Sequence, residues 1–260
     1  MGLRSATSKK RFVPGVKDLP GPWLCAVDSS SDWLNLALMK GELLVSAHRS
    51  YLRHGHARAL LHQLHFMLDT HGLVPADIDV FGVCTGPGSF TGLRVGVTTI
   101  KALAGVFQKP VVAIPSTDLL VAGTRGFDTV ACAIDARRGE VFFSLHQSNS
   151  EGWTLLVPPF ADTPEPGLAK LTSQFPAIVD ATIRNGCDST PCCLMVGSAI
   201  PTYRDGFAHS FPAMLLSPDP RWNDLQPDIL GYTCMELFLR TGGADPRTIE
   251  PCYARGPVIG

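Results

Sequence analysis

The sequence has 260 residues, 45% of them hydrophobic and 17% charged, with a formal net charge of -1. That is enough apolar chain to bury a core as one large domain or two small lobes, and the pattern described below favours two. A near-neutral balance with a sequence pI of about 6.7 excludes a broad basic field for direct nucleic-acid binding, leaving only a local patch such as Arg137-Arg138.

Residues 1–22 carry Lys9, Lys10 and Arg11, then Pro14, Gly15, Pro20, Gly21 and Pro22. With neither an apolar leader core nor helical periodicity, they read as a flexible tail. No uninterrupted apolar run approaches the roughly 18 to 20 residues needed to span a bilayer, so the expectation is a soluble, cytoplasmic protein with no membrane contact. Of the eight cysteines, Cys25, Cys84 and Cys132 lie in apolar, strand-like runs and read as reduced. Cys187, Cys192 and Cys193 lack the paired spacing of a zinc site, and no metal is expected there.

Trp23 to Val27 reads as a buried strand, Asp28 to Ser31 as a turn, and Trp33 to Met39 as a second strand before the turn Lys40-Gly41-Glu42. Ala57, Leu60, Leu61, Leu64 and Leu68 mark one face of a helix that stops at Gly72, with His62, His65 and Asp69 on its solvated side. Val80 to Thr85 is another buried strand. It is followed by a helix, Thr91 to Phe107, with the stripe Leu93, Val97, Ile100, Ala104 and Phe107. Val111 to Ile114 is a strand, Ser116 a candidate N-cap, and Asp118 to Ala122 a short helix.

Val130 to Ile134, the turn Asp135-Ala136-Arg137-Arg138-Gly139 and Val141 to His146 repeat the opening strand, aspartate, turn and strand about a hundred residues later. The repetition suggests a duplicated plan in which each lobe presents an acidic corner to a shared cleft, although aspartate also favours turns in its own right. Pro158 to Pro191, rich in proline and small polar residues, reads as peripheral decoration of the second lobe. Cys193 to Val196 leads into the turn Gly197-Ser198-Ala199. Pro227 opens a helix through Arg240 that stops at Gly242-Gly243 and can return over the first lobe.

The loop Gly86-Pro87-Gly88-Ser89-Phe90-Thr91-Gly92-Leu93-Arg94-Val95-Gly96 joins a strand to a helix. Its glycines permit close approach, and Ser89 or Thr91 can cap the helix, whose free N–H groups suit an anion. Yet Thr91 breaks a dinucleotide fingerprint, no lysine completes a phosphate loop, and Ser89 lacks the glycines two residues to either side that a nucleophile elbow requires. Gly92 and Gly96 share one helix face, and each costs roughly 0.5 to 1 kcal/mol relative to alanine. Such a stripe admits a closely packed neighbour, either internal or from another chain.

The eleven-residue loop resembles the signature of the TsaB (YeaZ) family of tRNA threonylcarbamoyladenosine biosynthesis. The resemblance extends to Ala26-Val27-Asp28-Ser29-Ser30, to Ile134-Asp135-Ala136-Arg137-Arg138-Gly139-Glu140-Val141 and to Pro251-Cys252-Tyr253-Ala254-Arg255. It implies an α/β fold of two ribonuclease-H-like lobes of the actin-like ATPase (ASKHA) superfamily. The expected organisation is a tail over 1–22, a first lobe over 23–118 plus 226–255, and a second over 119–225. The family's role is that of a non-catalytic scaffold or activator. It pairs with TsaD, which transfers the threonylcarbamoyl group to adenosine 37 of tRNAs reading ANN codons, and with the ATPase TsaE.

On that reading the chain has no catalytic residues, no metal and no cofactor of its own, ATP and metal belonging to the partner subunits, and it meets tRNA only indirectly. The expected partner interface, open also to a homodimer, is Leu60, Leu64, Leu68, Gly92, Arg94, Gly96, Thr99 and Leu103. Asp28, Gly86, Gly88, Ser89 and Asp135 would line a vestigial nucleotide cleft. This sequence departs from the family's usual His-Ser-Glu-like entry to the first helix, reading Arg53-His54-Gly55-His56, and His54, His56, His62 and His65 do not reproduce the metal-binding histidine spacing of TsaD. The alternative is a stand-alone nucleotide hydrolase or kinase of the actin-like class, with Asp28 and Asp135 holding magnesium. A peptidase finds no H-E-x-x-H motif and no recognisable triad.

Overall fold

The computed structural model describes residues 16, 18–124, 126–150, 152–173, 193–211 and 214–254. All but six residues of the expected tail, together with Cys187, Cys192 and Arg255, lie outside them.

Three strands open the chain as an antiparallel meander, β1 (Trp23–Asp28), β2 (Trp33–Lys40) and β3 (Leu43–Tyr51). Helix α1 (His56–Thr70) then crosses over to β4 (Val80–Gly86), which joins β1 in parallel. Helix α2 (Phe90–Phe107) crosses to β5 (Val111–Pro115), parallel to β4. The sheet order is β3-β2-β1-β4-β5. Both crossovers lead to parallel partners, which is why each contains a helix rather than a tight turn.

After α3 (Ser116–Ala122) the plan repeats. β6 (Thr129–Arg137), β7 (Glu140–Asn149) and β8 (Gly152–Asp162) form a second antiparallel meander. After α4 (Pro164–Ser173), β9 (Leu194–Val196) joins β6 in parallel, and after α5 (Ile200–Ser210), β10 (Leu215–Leu216) joins β9 in parallel. Read from its third strand, the order β8-β7-β6-β9-β10 repeats the first sheet. The duplicated sheets are the two ribonuclease-H-like lobes of an actin-like fold, the class that the resemblance implies.

Three apolar layers hold the lobes. One packs α1 and α2 on the outer face of the first sheet through Leu60, Leu64, Met67, Val97 and Ile100. A central layer joins the inner faces of both sheets through α3 and the last long helix, α6 (Pro227–Thr241), with Ala26, Leu120, Val130, Ile134, Leu230 and Cys234. The third packs α4 and α5 on the outer face of the second sheet through Phe143, Leu168, Ile200 and Phe207. The return of α6 over β1 and β2 follows from Gly231, whose missing side chain leaves room for Met39 and Ala37.

Several local expectations change. β3 carries Ser46, His48, Arg49 and Ser50, a mixed run with no clean alternation, and the sequence gives no strand there. β8 passes through Pro158-Pro159 at the edge of its sheet, where a missing backbone donor is tolerated. The stretch read as decoration therefore begins as a strand and continues as α4. Ser116 is a helical residue rather than a cap, and its hydroxyl donates to the Pro87 carbonyl. In α1, Leu61 is exposed and Met67 takes the buried place. One described helix, α2, is long and apolar enough to cross a membrane by length and composition, but its stripe Leu93, Val97, Ile100 and Ala104 is buried in this fold.

Candidate functional site

The glycine loop begins where β4 ends. Gly86 has φ +104, a left-handed conformation, and a side chain there would meet Leu93 and the Cys252 carbonyl. Ser89 is the N-cap of α2, accepting a hydrogen bond from Gly92 N at 3.3 Å. The Ser89 amide in turn donates to the Ser30 carbonyl at 2.6 Å.

Gly88 faces the same Ser30 carbonyl, and Gly92 faces the Ser29 carbonyl, each so closely that a Cβ would overlap it. The Ser29 hydroxyl donates to the Gly92 carbonyl at 2.8 Å and lies so near the position of a Cβ on Gly96 that the two would overlap. The loop that could have held an anion is therefore filled by the β1–β2 turn of the same chain. The Gly92 and Gly96 stripe serves an internal contact, which corrects its assignment to a partner.

Asp28 at the end of β1 is fully buried. One carboxylate oxygen accepts the Ser30 amide at 2.9 Å and the other accepts Asn35 Nδ2 at 2.9 Å. Asn35 Nδ2 also reaches the Leu225 carbonyl at 3.2 Å, tying the acidic corner to the segment that leads into α6. Cys84, at the base of the loop, has its thiol pushed well up, first by burial and next by the Asp28 charge, so it is a neutral packing group.

Asp135 is the corresponding corner of the second lobe. Its backbone N–H donates to Ser198 Oγ at 3.1 Å, and its carboxylate accepts the Arg137 backbone N–H at 2.8 Å. The Arg137 guanidinium lies 3.4 Å from the other Asp135 oxygen and 2.6 Å from Asp32 of the β1–β2 turn. A cation side chain thus spans the mouth of the cleft from one lobe to the other. Among the described residues no group of three or more His, Cys, Asp or Glu could share a metal ion.

The five residues expected to line a vestigial cleft are split. Gly86, Gly88 and Ser89 sit against Ser30 and Cys252, Asp28 lies buried behind them, and Asp135 faces Arg137. The expected partner interface needs correction. Leu60, Leu64 and Leu68 are 0–3% exposed and belong to the outer core of the first lobe, so they cannot meet another chain. Arg94 is exposed, lies 4.1 Å over the Phe90 ring and donates to Tyr253 Oη at 3.2 Å. Thr99 and Leu103 are half-buried, and Leu103 packs on the outer core. The large apolar residues that these two helices leave exposed are Leu61 and Phe66 on α1 and Phe90 and Val106 on α2. Phe66, Phe90 and Val106 lay off the apolar stripes read from the sequence, whereas Leu61 was counted within one and is exposed.

The model of the family described as "TsaD: tRNA N6-adenosine threonylcarbamoyltransferase" matches residues 50–216. The TsaB tRNA threonylcarbamoyladenosine biosynthesis protein of Bacillus subtilis is 35% identical over 125 residues, 48% of this chain and 55% of that protein. Its counterpart in Escherichia coli is 30% identical over 132 residues, 50% and 57% of the two chains. The chain spans about half the length of the curated relatives it matches.

The solved structure of YeaZ from Pseudomonas aeruginosa superposes with a TM-score of 0.65 at 22% identity, covering 89% of this chain and 99% of that one. A second Pseudomonas aeruginosa structure, described as similar to peptidase YEAZ, gives 0.68 at 23% identity over 90% and 100%. At those identities the two structures speak for the fold. With the family model covering more than half of the sequence, the chain belongs to the family of tRNA N6-adenosine threonylcarbamoyltransferase, and within it the curated relatives that it resembles are TsaB (YeaZ) proteins.

Proposed function

We propose that the protein is a non-catalytic subunit of tRNA threonylcarbamoylation. It pairs with TsaD, which carries the transfer to adenosine 37 of tRNAs reading ANN codons, and TsaE joins the assembly. The observation that carries this reading is the clamped loop: the glycine loop packs on Ser29 and Ser30, and the fully buried Asp28 has a donor from the same chain on each carboxylate oxygen. A nucleotide phosphate needs free N–H groups on the loop and a carboxylate open to magnesium, whereas the Ser89 and Gly92 amides are already engaged and Asp28 is fully buried. ATP and metal then belong to the partner subunits, tRNA is met through them, and the assembly works in the cytoplasm.

The partner surface falls on the exposed side of α1 and α2, around Leu61, Phe66 and Val106, rather than on the buried stripe. The same surface serves a homodimer when TsaD is absent. The test is threonylcarbamoyl transfer to tRNA by TsaD and TsaE, with and without this protein. Asp28→Asn and Asp135→Asn should support transfer within about twofold of the wild type. A loss of two or more orders of magnitude with the fold preserved, or magnesium-dependent micromolar nucleotide binding by the isolated chain that Asp28→Ala abolishes, would replace this reading with a nucleotide hydrolase or kinase.

A further inference from the structure

The turn between β6 and β7 holds three consecutive residues in the left-handed region, and two of them are arginines: Arg137 at φ 65, Arg138 at φ 58 and Gly139 at φ 79. A non-glycine residue in that region is uncommon and persists where its surroundings over-determine it. The pairing of β6 with β7 slips between Asp135 and Arg137, so Arg137 stands at a bulge that re-aims its side chain. What it is aimed at is Asp32, in the β1–β2 turn of the other lobe, at 2.6 Å. That turn is itself fixed, because the Asp32 carbonyl accepts the Leu52 amide at 2.6 Å.

The bridge stands between two cavities. An outer cleft of about 750 Å³ is lined by Arg53, His54, His56 and Thr91 among others. An inner chamber of about 170 Å³ is lined by Trp33, Ile134, Asp135, Ser198 and Asp224 among others. Ser31, Asp32, Tyr51, Ser89 and Arg137 line both, so they form the wall between them.

We propose that Arg137 and Asp32 form a gate that closes the inner chamber from the outer cleft and fixes the separation of the lobes at the cleft mouth. The central apolar layer holds the two sheets together at depth, which leaves the mouth as the place where the lobes can part. The Arg137 side chain is 55% exposed and that of Asp32 28%, so the pair is open to solvent and screened by salt, as a gate that must release requires. Its position in the left-handed region makes the arginine a cost to the local turn, offset by its bonds to Asp135 within that turn and by its contact with Asp32 across the cleft. This inference does not depend on the tRNA reading.

The test is amide hydrogen exchange on the full chain, comparing wild type with Arg137→Gly and Asp32→Asn. Glycine suits the backbone at position 137, so the hairpin should keep its fold while losing the guanidinium. Loss of the gate should speed exchange at least tenfold at residues 29–32, in the opposite lobe, and at Asp135 N, while the amides of α6 stay as protected as before. Asp32→Asn should produce the reciprocal effect at residues 135–139. Raising sodium chloride to about 1 M should move the wild type toward the variants and leave the variants unchanged. Exchange that changes only within the substituted residue's own turn, or a wild type insensitive to salt, would overturn the gate and leave a local surface ion pair. If Arg137→Gly fails to fold, Asp32→Asn decides alone.

Discussion

Ser29 Oγ lies so near the position of a Cβ on Gly96 that the two would overlap, and the same hydroxyl donates to the Gly92 carbonyl at 2.8 Å. Gly92 and Gly96 of α2 are therefore set by a serine 63 residues before Gly92. Gly92→Ala drives a methyl into the Ser29 backbone carbonyl and should destabilise the isolated protein by about 1 to 3 kcal/mol, despite alanine's better helix propensity. Gly96→Ala meets only the Ser29 hydroxyl, so Ser29→Ala in the same chain should recover part of its cost. Urea unfolding of the two single variants and the double variant measures the coupling. Additive effects would place the constraint on Gly96 elsewhere.

How much of this was legible follows from locality. β1, β2, β4 and the stripe of α2 are continuous apolar or helical-period runs, and the sequence places them within one or two residues. β3 and β8 were hidden because they are edge strands with mixed polarity, β8 with two prolines as well. An edge strand answers to solvent as much as to the core.

The apolar face of α1 was read correctly at Leu60, Leu64 and Leu68 but given to the wrong neighbour. Periodicity shows that a face is buried without showing against what. The glycine stripe failed in the same way. Arg137 reaching Asp32 had no local signal at all, because their sequence separation of 105 is closed only by the packing of two lobes.

Asn35 is the support of the buried Asp28 carboxylate. Asn35→Ala leaves Asp28 Oδ2 without that donor in a site with no exposure, and the expected loss is about 1 to 3 kcal/mol or more. Asp28→Asn removes the charge and should soften the same loss. The double variant Asp28→Asn with Asn35→Ala should therefore lie closer to Asp28→Asn than additivity allows. Equal losses for Asn35→Ala in both backgrounds would show that the charge is not what Asn35 serves.

His146, on β7, is buried with its Nε2 3.1 Å from Ser144 Oγ, and burial pushes its pKa down from 6.5 to about 4. Between those pH values the unfolded chain holds a proton that the folded chain does not, so stability falls as pH drops through the window and is unaffected by this group above it. The contribution is at most roughly 3 kcal/mol. Denaturant melts at pH 7.5 and 4.5 should show a smaller acid loss in His146→Gln than in the wild type. Identical losses would assign the acid sensitivity to other groups.

The C-terminal stretch closes over the glycine loop, and Tyr253 is its anchor. The Cys252 amide donates to the Thr85 carbonyl at 2.7 Å, the Tyr253 and Phe90 ring centroids lie 5.0 Å apart, and Tyr253 Oη accepts Arg94 Nε at 3.2 Å. An aromatic pair of this kind contributes about 0.5 to 1.5 kcal/mol beyond its buried area, and both rings are about half-exposed, which favours the lower half of that range. Tyr253→Ala should therefore lower stability by about 1 kcal/mol. Tyr253→Phe keeps the stacking, loses only the hydroxyl and should cost less. In the Phe90→Ala background the effect of Tyr253→Ala should shrink by the pair's coupling. A cycle with no coupling would leave the backbone bond from Cys252 to Thr85 as the contact that holds the C-terminal stretch on the loop.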